Sequence, residues 1–144
     1  GAVPFRAPDS TGGTHNNRFI VNTQVVAGRY GTTIPALEFA GSSSRSFSPG
    51  ISVGELTRTN VGCFNQAEAA NSVKATILDK TGTQELGSLT LNLAANAWGQ
   101  TAVSPVVTDG IVRFEPSESA VCYAVVVDFT THDGHFVPAA EYSP

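Results

Sequence analysis

The chain has little charge and almost no lysine. Only 14% of its 144 residues are charged, and the only lysines are Lys74 and Lys80. Twelve acidic residues against eight basic ones leave a net charge of −4. Because such a surface does not attract phosphate backbones or anionic lipid, we expect neither nucleic acid nor an anionic membrane as a partner.

Long apolar runs and methionine are also missing. No run reaches the roughly 18–20 residues that a spanning helix needs, so membrane insertion is not expected. The chain begins Gly-Ala-Val-Pro. Two origins for this start are open: the terminus left by a signal peptidase, or a piece of a larger protein. The first predicts a secreted protein, extracellular or held at the cell surface.

Cysteine occurs only twice, at Cys63 and Cys122, both in segments that predict strands. Their spacing matches no CxxC or metal-ligand motif, so we predict a Cys63–Cys122 disulfide, with two buried free thiols as the alternative. In a sandwich such a pair can bridge the two sheets, as in immunoglobulin domains. Closing a loop of about 60 residues would stabilise the fold by roughly 4 kcal/mol.

The most apolar stretch is Ser119–Phe129, SAVCYAVVVDF, which is rich in β-branched and aromatic residues. Its length and composition predict a strand at the centre of a sheet, buried on both faces. Alternation assigns Val121, Tyr123, Val125, Val127 and Phe129 to one face and Ala120, Cys122, Ala124, Val126 and Asp128 to the other.

Further strands are expected around this one. They are predicted at Arg18–Ala27, Thr32–Ala40, Glu55–Phe64, Val73–Leu78, Gln84–Leu93, Ala97–Val103, Ile111–Glu115 and Phe136–Tyr142. Pro35 favours an edge position, Gly28–Gly31 and Thr108–Gly110 are expected to be turns, and Gly41–Gly50 a loop. Asp79–Gly82 predicts a hairpin turn with Gly82 at positive φ. Roughly seven to nine short strands without a helical period predict an all-β fold, an antiparallel immunoglobulin-like β-sandwich, in one domain over residues 18–144.

Residues 1–17, GAVPFRAPDSTGGTHNN, combine two prolines with a glycine pair and small polar residues. This composition predicts an extended N-terminal arm or linker. Val3 and Phe5 give the arm some hydrophobic character. It is either a disordered terminus or an assembly arm that docks on a neighbouring subunit by strand addition.

Two segments of the chain resemble each other. Gly31–Phe39 reads GTTIPALEF and Gly134–Tyr142 reads GHFVPAAEY, and both follow valine-rich residues. The repetition predicts that the two segments leave a strand in the same way, as modules that occur in tandem do.

A further set of residues forms a recognisable pattern: Arg58–Gly62 with Asn65, Asp79 with Gly82, Leu86-Gly87, Tyr123–Asp128, Asp133-Gly134 and Phe136–Ala139. At these residues the chain resembles an uncharacterised β-sandwich repeat module of large secreted bacterial proteins, such as those of Acidobacteria. The resemblance covers roughly Gly28 to Ala139. More loosely, the module is similar to immunoglobulin-like cell-adhesion domains of bacterial surface proteins. It implies a non-catalytic module without functional residues to carry over; the two cysteines and the arm depart from its pattern.

Residues that could carry chemistry are few. The histidines are His15, His132 and His135, and no GxSxG elbow accompanies them, so no Ser-His-Asp triad is predicted. His132-Asp133-Gly134-His135 could hold a divalent ion with His15 or Asp128, but it is typical of a polar turn with Gly134 at positive φ. We therefore predict no catalytic residue, no metal ligand and no cofactor.

Aromatic residues leave one binding function open. Trp98, Tyr30, Tyr123 and Tyr142 could form a sugar-stacking platform, although a single tryptophan in a β domain more often lies in the core. Glu38 and Glu141 occupy equivalent positions in the repeated segments. We expect them to face solvent rather than to act as a glycosidase pair.

Together these features predict a non-enzymatic, extracellular structural protein. We expect it to self-associate, as a homopolymer in a surface fibre or layer or with neighbouring modules, and its arm to contact a neighbour through Val3 and Phe5. The alternative is an adhesion or carbohydrate-binding module of a larger secreted protein, with a glycan as its ligand.

Overall fold

The computed structural model describes residues 18–25, 28–35 and 43–141. They form ten strands: β1 (Arg18–Val25), β2 (Gly28–Pro35), β3 (Ser46–Val53), β4 (Thr57–Asn65), β5 (Asn71–Leu78), β6 (Glu85–Leu93), β7 (Trp98–Ala102), β8 (Val107–Pro116), β9 (Ala120–Asp128) and β10 (Gly134–Pro138). Among these residues no helix is long and apolar enough to cross a membrane.

Eight of these strands form two four-stranded sheets, and β1 pairs with β2 as a separate ribbon. The front sheet has the order β10-β9-β4-β7, and the back sheet has the order β3-β8-β5-β6. Every pairing is antiparallel. The predicted all-β antiparallel sandwich is confirmed, and β9 lies inside the front sheet as its sequence predicts.

The core lies between the two sheets because each strand turns alternate side chains inward. Among the residues whose burial is described, Phe114 of β8 is the largest fully buried side chain, and β5 contributes the continuous buried row Ala75–Leu78. Burying one such side chain stabilises the fold by roughly 1.5–3 kcal/mol. The fully buried apolar members are Ile51, Val61, Cys63, Val73, Ala75, Ile77, Val112, Phe114 and Ala124.

The disulfide between Cys63 and Cys122 is confirmed. Its expected place between the sheets is wrong, because β4 and β9 are neighbours in the front sheet and the two cysteines face each other directly in their register. Their Cα atoms are 4.1 Å apart, as in the narrow type of antiparallel pair. Both side chains point into the core, so the bridge links strands at its buried surface.

The sequence missed one strand and misjudged two turns. β3 lies in the expected loop, where Pro49, the positive φ of Gly50 and two register shifts disrupt the alternation. β2 begins at Gly28, inside an expected turn. The second expected turn lies inside β8, opposite one of the β3 irregularities, and Asp109 there has φ 54°.

Two buried asparagines connect the loops at one end of the sandwich. The Asn65 amide donates to the carbonyls of Ala69 and Ala94, each at 2.8 Å. The Asn71 amide donates to the carbonyl of Glu118 at 3.0 Å and to Oδ1 of Asn65 at 3.2 Å. Because buried amides must be paired, these bonds fix how three loops meet.

The two repeated segments occupy matching places. In each, the glycine lies in the return strand of a hairpin and the proline ends that strand: Pro35 ends β2 and Pro138 ends β10. Strand β2 also contacts β10. How the chain continues after Pro35 lies outside the described residues, so the prediction that both segments leave a strand in the same way stays a prediction.

Candidate interaction face on the front sheet

The outer side of the front sheet carries apolar and aromatic side chains where a sandwich usually has polar ones. The register sets these side chains in rows across the strands, and nearly all of them are half-buried. We call this surface the front face. Its apolar members are Phe64, Trp98, Val121, Tyr123, Val125, Val127 and Phe136.

The outer side of the back sheet is different. There β5 exposes Ser72 and Lys74, and β6 exposes Ser88, Thr90 and Asn92, although Phe47 of β3 and Ile111 of β8 are half-buried apolar residues on the same outer side. The contrast matters because scattered exposed apolar residues need no explanation, whereas a contiguous patch on one side marks an interaction surface.

The centre of the front face is a chain of hydrogen bonds between three side chains. Trp98 Nε1 donates to the Tyr123 hydroxyl at 2.7 Å, and that hydroxyl donates to Oε1 of Gln100 at 2.8 Å. Tyr123 is only 7% exposed, and burial raises its pKa to about 12. The hydroxyl therefore stays protonated and keeps both bonds at physiological pH.

Gly62 provides the space for Tyr123. A Cβ on Gly62 would lie 2.5 Å from the Tyr123 hydroxyl oxygen and 2.6 Å from Cζ. The tyrosine ring thus lies flat across β4, with its centroid 5.4 Å from that of Phe136 on β10. The residue at position 62 therefore has to be glycine for the aromatic side chains of three strands to form one continuous surface.

One end of the front face is extended by residues next to the strands. Phe129 is 41% exposed and Leu56 is 64% exposed, and the backbone N–H of Phe129 donates to the carbonyl of Leu56 at 2.8 Å. The Arg58 guanidinium lies 5.9 Å from the centre of the Phe129 ring, within cation–π range. Arg58 is the only charged side chain among the outward positions of the four front strands.

The histidine segment is part of the β9–β10 hairpin turn. Oδ1 of Asp128 accepts from the backbone N–H groups of Thr130 and Thr131, and the Asp128 carbonyl accepts from the N–H of His132 at 2.7 Å. The turn is confirmed, but its positive φ belongs to His132, at 60°, and not to Gly134. In the described residues, no group of three or more His, Cys, Asp or Glu side chains could hold a metal ion.

The other candidate residues are placed as follows. Trp98 and Tyr123 belong to the front face, and Tyr30 lies in β2. Glu141 is exposed, whereas Val3, Phe5, His15, Glu38 and Tyr142 lie outside the described residues. Phe64, Gln100 and Phe136 also belong to this surface, and no local pattern predicts them as members of it. The one sequence signal for it is Ser119–Phe129, whose second apolar face needs to be covered by other side chains.

Comparison with protein-family models, with curated proteins and with solved structures finds no match to this chain. The resemblance to a bacterial repeat module therefore stays a prediction.

Proposed function

We propose that this protein is a non-enzymatic, extracellular structural subunit that self-associates through its front face. The observation that carries the proposal is the continuous apolar outer surface of the front sheet, whereas the outer side of the back sheet is polar along β5 and β6. The buried Cys63–Cys122 disulfide fits a non-reducing environment and supports an extracellular location.

Charge favours a second copy as the partner on this face. The net charge of −4 makes two copies repel each other at most orientations. The outward positions of the four front strands contain no acidic residue, so two front faces can approach without bringing like charges together. An apolar surface that contacts its own copy is also the usual form of a twofold interface.

Size indicates that the front face is not the whole interface. Four strands about 4.8 Å apart and about seven residues long, at about 3.3 Å per residue, cover a flat area of roughly 400 Å². A stable interface buries about 800 Å² on each partner. A second contact is needed, and the N-terminal arm with Val3 and Phe5 is the segment we propose for it.

Two different contacts on one subunit generate a fibre or a layer, because each contact adds a subunit in a new direction. This is the reason for proposing a surface fibre or layer rather than a closed dimer.

The test is sedimentation velocity of the full chain from micromolar to millimolar concentration, with two matched lysine substitutions. We expect Val125→Lys, at the centre of the front face, to abolish association, and Ser72→Lys, on the polar outer side of the back sheet, to leave it intact. Val121→Lys is a second front-face variant, and far-UV circular dichroism establishes that each variant is folded. A full chain that stays monomeric at millimolar concentration would overturn the proposal.

A carbohydrate-binding function is the second candidate, and one observation favours it. Gln100 is exposed next to the half-buried Trp98, and its Oε1 accepts a hydrogen bond from the Tyr123 hydroxyl. An amide donor beside an aromatic ring suits a sugar. A saturable change in Trp98 fluorescence with a polysaccharide, lost in Gln100→Ala, would support this function over self-association.

A further inference from the structure

The sandwich has four strands at the edges of its sheets, and three of them are protected against further pairing. Strand β3 contains Pro49 and two register shifts, and its Phe47 exchanges two backbone hydrogen bonds with Ala140. Strand β10 has five residues, ends at Pro138 and contacts β2. Strand β7 also has only five residues. Short strands, prolines, bulges and covering segments are the usual ways in which proteins block sheet edges.

Strand β6 has such a protection only at its beginning, where the register shifts at Leu86. It has nine residues, contains no proline or basic residue, and pairs with β5 in regular register from Gly87 to Leu93. Pro105 packs over the core side of Gly87, where a Cβ would lie 2.6 Å from its Cγ. In the part of the chain that the structure describes, however, no backbone group outside β5 bonds to residues 85–93. With respect to the described residues, one side of β6 from Gly87 to Leu93 is therefore unpaired.

The arm has the sequence of a strand that can pair on one side only. Backbone N–H groups in an extended strand point alternately to its two sides. Pro4 and Pro8 are four residues apart, so both missing N–H groups would lie on the same side, together with that of Arg6. The N–H groups of Val3, Phe5 and Ala7 would lie on the other side, and their apolar side chains would share one face.

We propose that the free edge of β6 accepts residues 2–8 of a second copy of this chain as an added strand. Val3, Phe5 and Ala7 then face the core side, level with Leu89 and Leu91 of β6. Pro4 and Pro8 close the outer edge, so that exactly one strand is added to each sheet. This contact rests on the proposed self-association and names its second interface.

The positions of the arm and of the β6 edge favour the arm of a second copy over the chain's own arm. Residues 1–17 lead into β1, whose partner β2 contacts β10. Strand β10 contacts β3, and β6 contacts β7, so the β10 and β6 edges lie on opposite sides of the sandwich. An arm that leaves the sandwich on one side and a β6 edge on the other side make a head-to-tail contact, which repeats along a fibre.

The test compares proline at two neighbouring positions in the full chain. Ala7→Pro removes an N–H from the pairing side, and we expect it to weaken association in sedimentation velocity by about tenfold. Arg6→Pro removes an N–H from the side already blocked by Pro4 and Pro8, and it is expected to leave association unchanged. Equal effects of the two prolines, or none from either, would overturn this inference.

A cysteine cross-link identifies the occupant. Arg6→Cys is combined in turn with Ser88→Cys, Thr90→Cys or Asn92→Cys, which face outward on β6. The expected result is a ladder of covalent multimers under non-reducing conditions. A cross-linked monomer would contradict the second copy as the occupant, because each chain's own arm would then occupy the β6 edge. The absence of any cross-link would contradict the site itself. If association persists and stays sensitive to Val125→Lys while the prolines have no effect, this inference fails and the proposed function stands.

Discussion

Replacing Gly62 with alanine should displace Tyr123 and disrupt the front face. The new Cβ would lie 2.5 Å from the tyrosine hydroxyl, so the ring must leave its position over β4. It then loses its hydrogen bonds with Trp98 and Gln100, at roughly 0.5–1.5 kcal/mol each. Gly62 does not have a positive φ, so alanine itself is compatible with the backbone and returns roughly 0.5–1 kcal/mol. We expect the free energy of unfolding to fall by about 1–2 kcal/mol.

A double-mutant cycle separates this contact from a general intolerance of alanine. Tyr123→Val removes the ring and keeps a β-branched residue in the strand. In that background Gly62→Ala meets no ring, so it should be neutral or slightly stabilising. The assay is urea unfolding followed by far-UV circular dichroism. Tryptophan fluorescence is unsuitable because Trp98 is hydrogen-bonded to Tyr123, so its signal would change with the Tyr123 substitution itself. An equal cost of Gly62→Ala in both backgrounds would refute the packing of Tyr123 on Gly62.

Three further predictions concern stability. Replacing both Cys63 and Cys122 with alanine should lower the free energy of unfolding by about 4 kcal/mol and raise the urea m-value. The reason is that the disulfide constrains the unfolded chain by closing a loop with a separation of 59 residues. An unchanged urea midpoint would contradict this prediction. Thr76→Val should raise the melting temperature, because the buried Thr76 hydroxyl has no hydrogen-bond partner among the described residues and its removal is worth about 1 kcal/mol. Burial raises the Tyr123 pKa from 10.0 to about 12. The stability that depends on protonated Tyr123 is therefore complete below pH 10.0 and is lost as the pH rises through about 12. Tyr123→Phe should abolish this alkaline loss when urea unfolding is measured as a function of pH.

The sequence predicted the parts of the fold that depend on local pattern. Ser119–Phe129 is apolar at every position from Ala120 to Val127, so its place inside a sheet follows from its own residues. Gly82 was expected at positive φ in the turn after β5, and its φ is 74°. With only two cysteines in the chain, the disulfide had only one possible pairing within it.

Features that depend on strand order could not be read from the sequence. The Cys63–Cys122 disulfide links two strands of one sheet because β4 and β9 are neighbours. No local sequence pattern encodes that strand order. Likewise, the front face combines residues of four strands, and Gln100 meets Tyr123 only because both β7 and β9 pair with β4. Strand β3 was hidden because an edge strand with Pro49 and Gly50 has few alternating buried positions.

The measurement that tests the central claim most directly is electron microscopy of the full chain after concentration, beside the Val125→Lys variant. A self-associating structural subunit should form filaments or sheets with a regular repeat, and the variant should give separate particles. Single particles from the full chain at every concentration would contradict the account. The front face would then be a surface for a ligand other than a second copy of the chain.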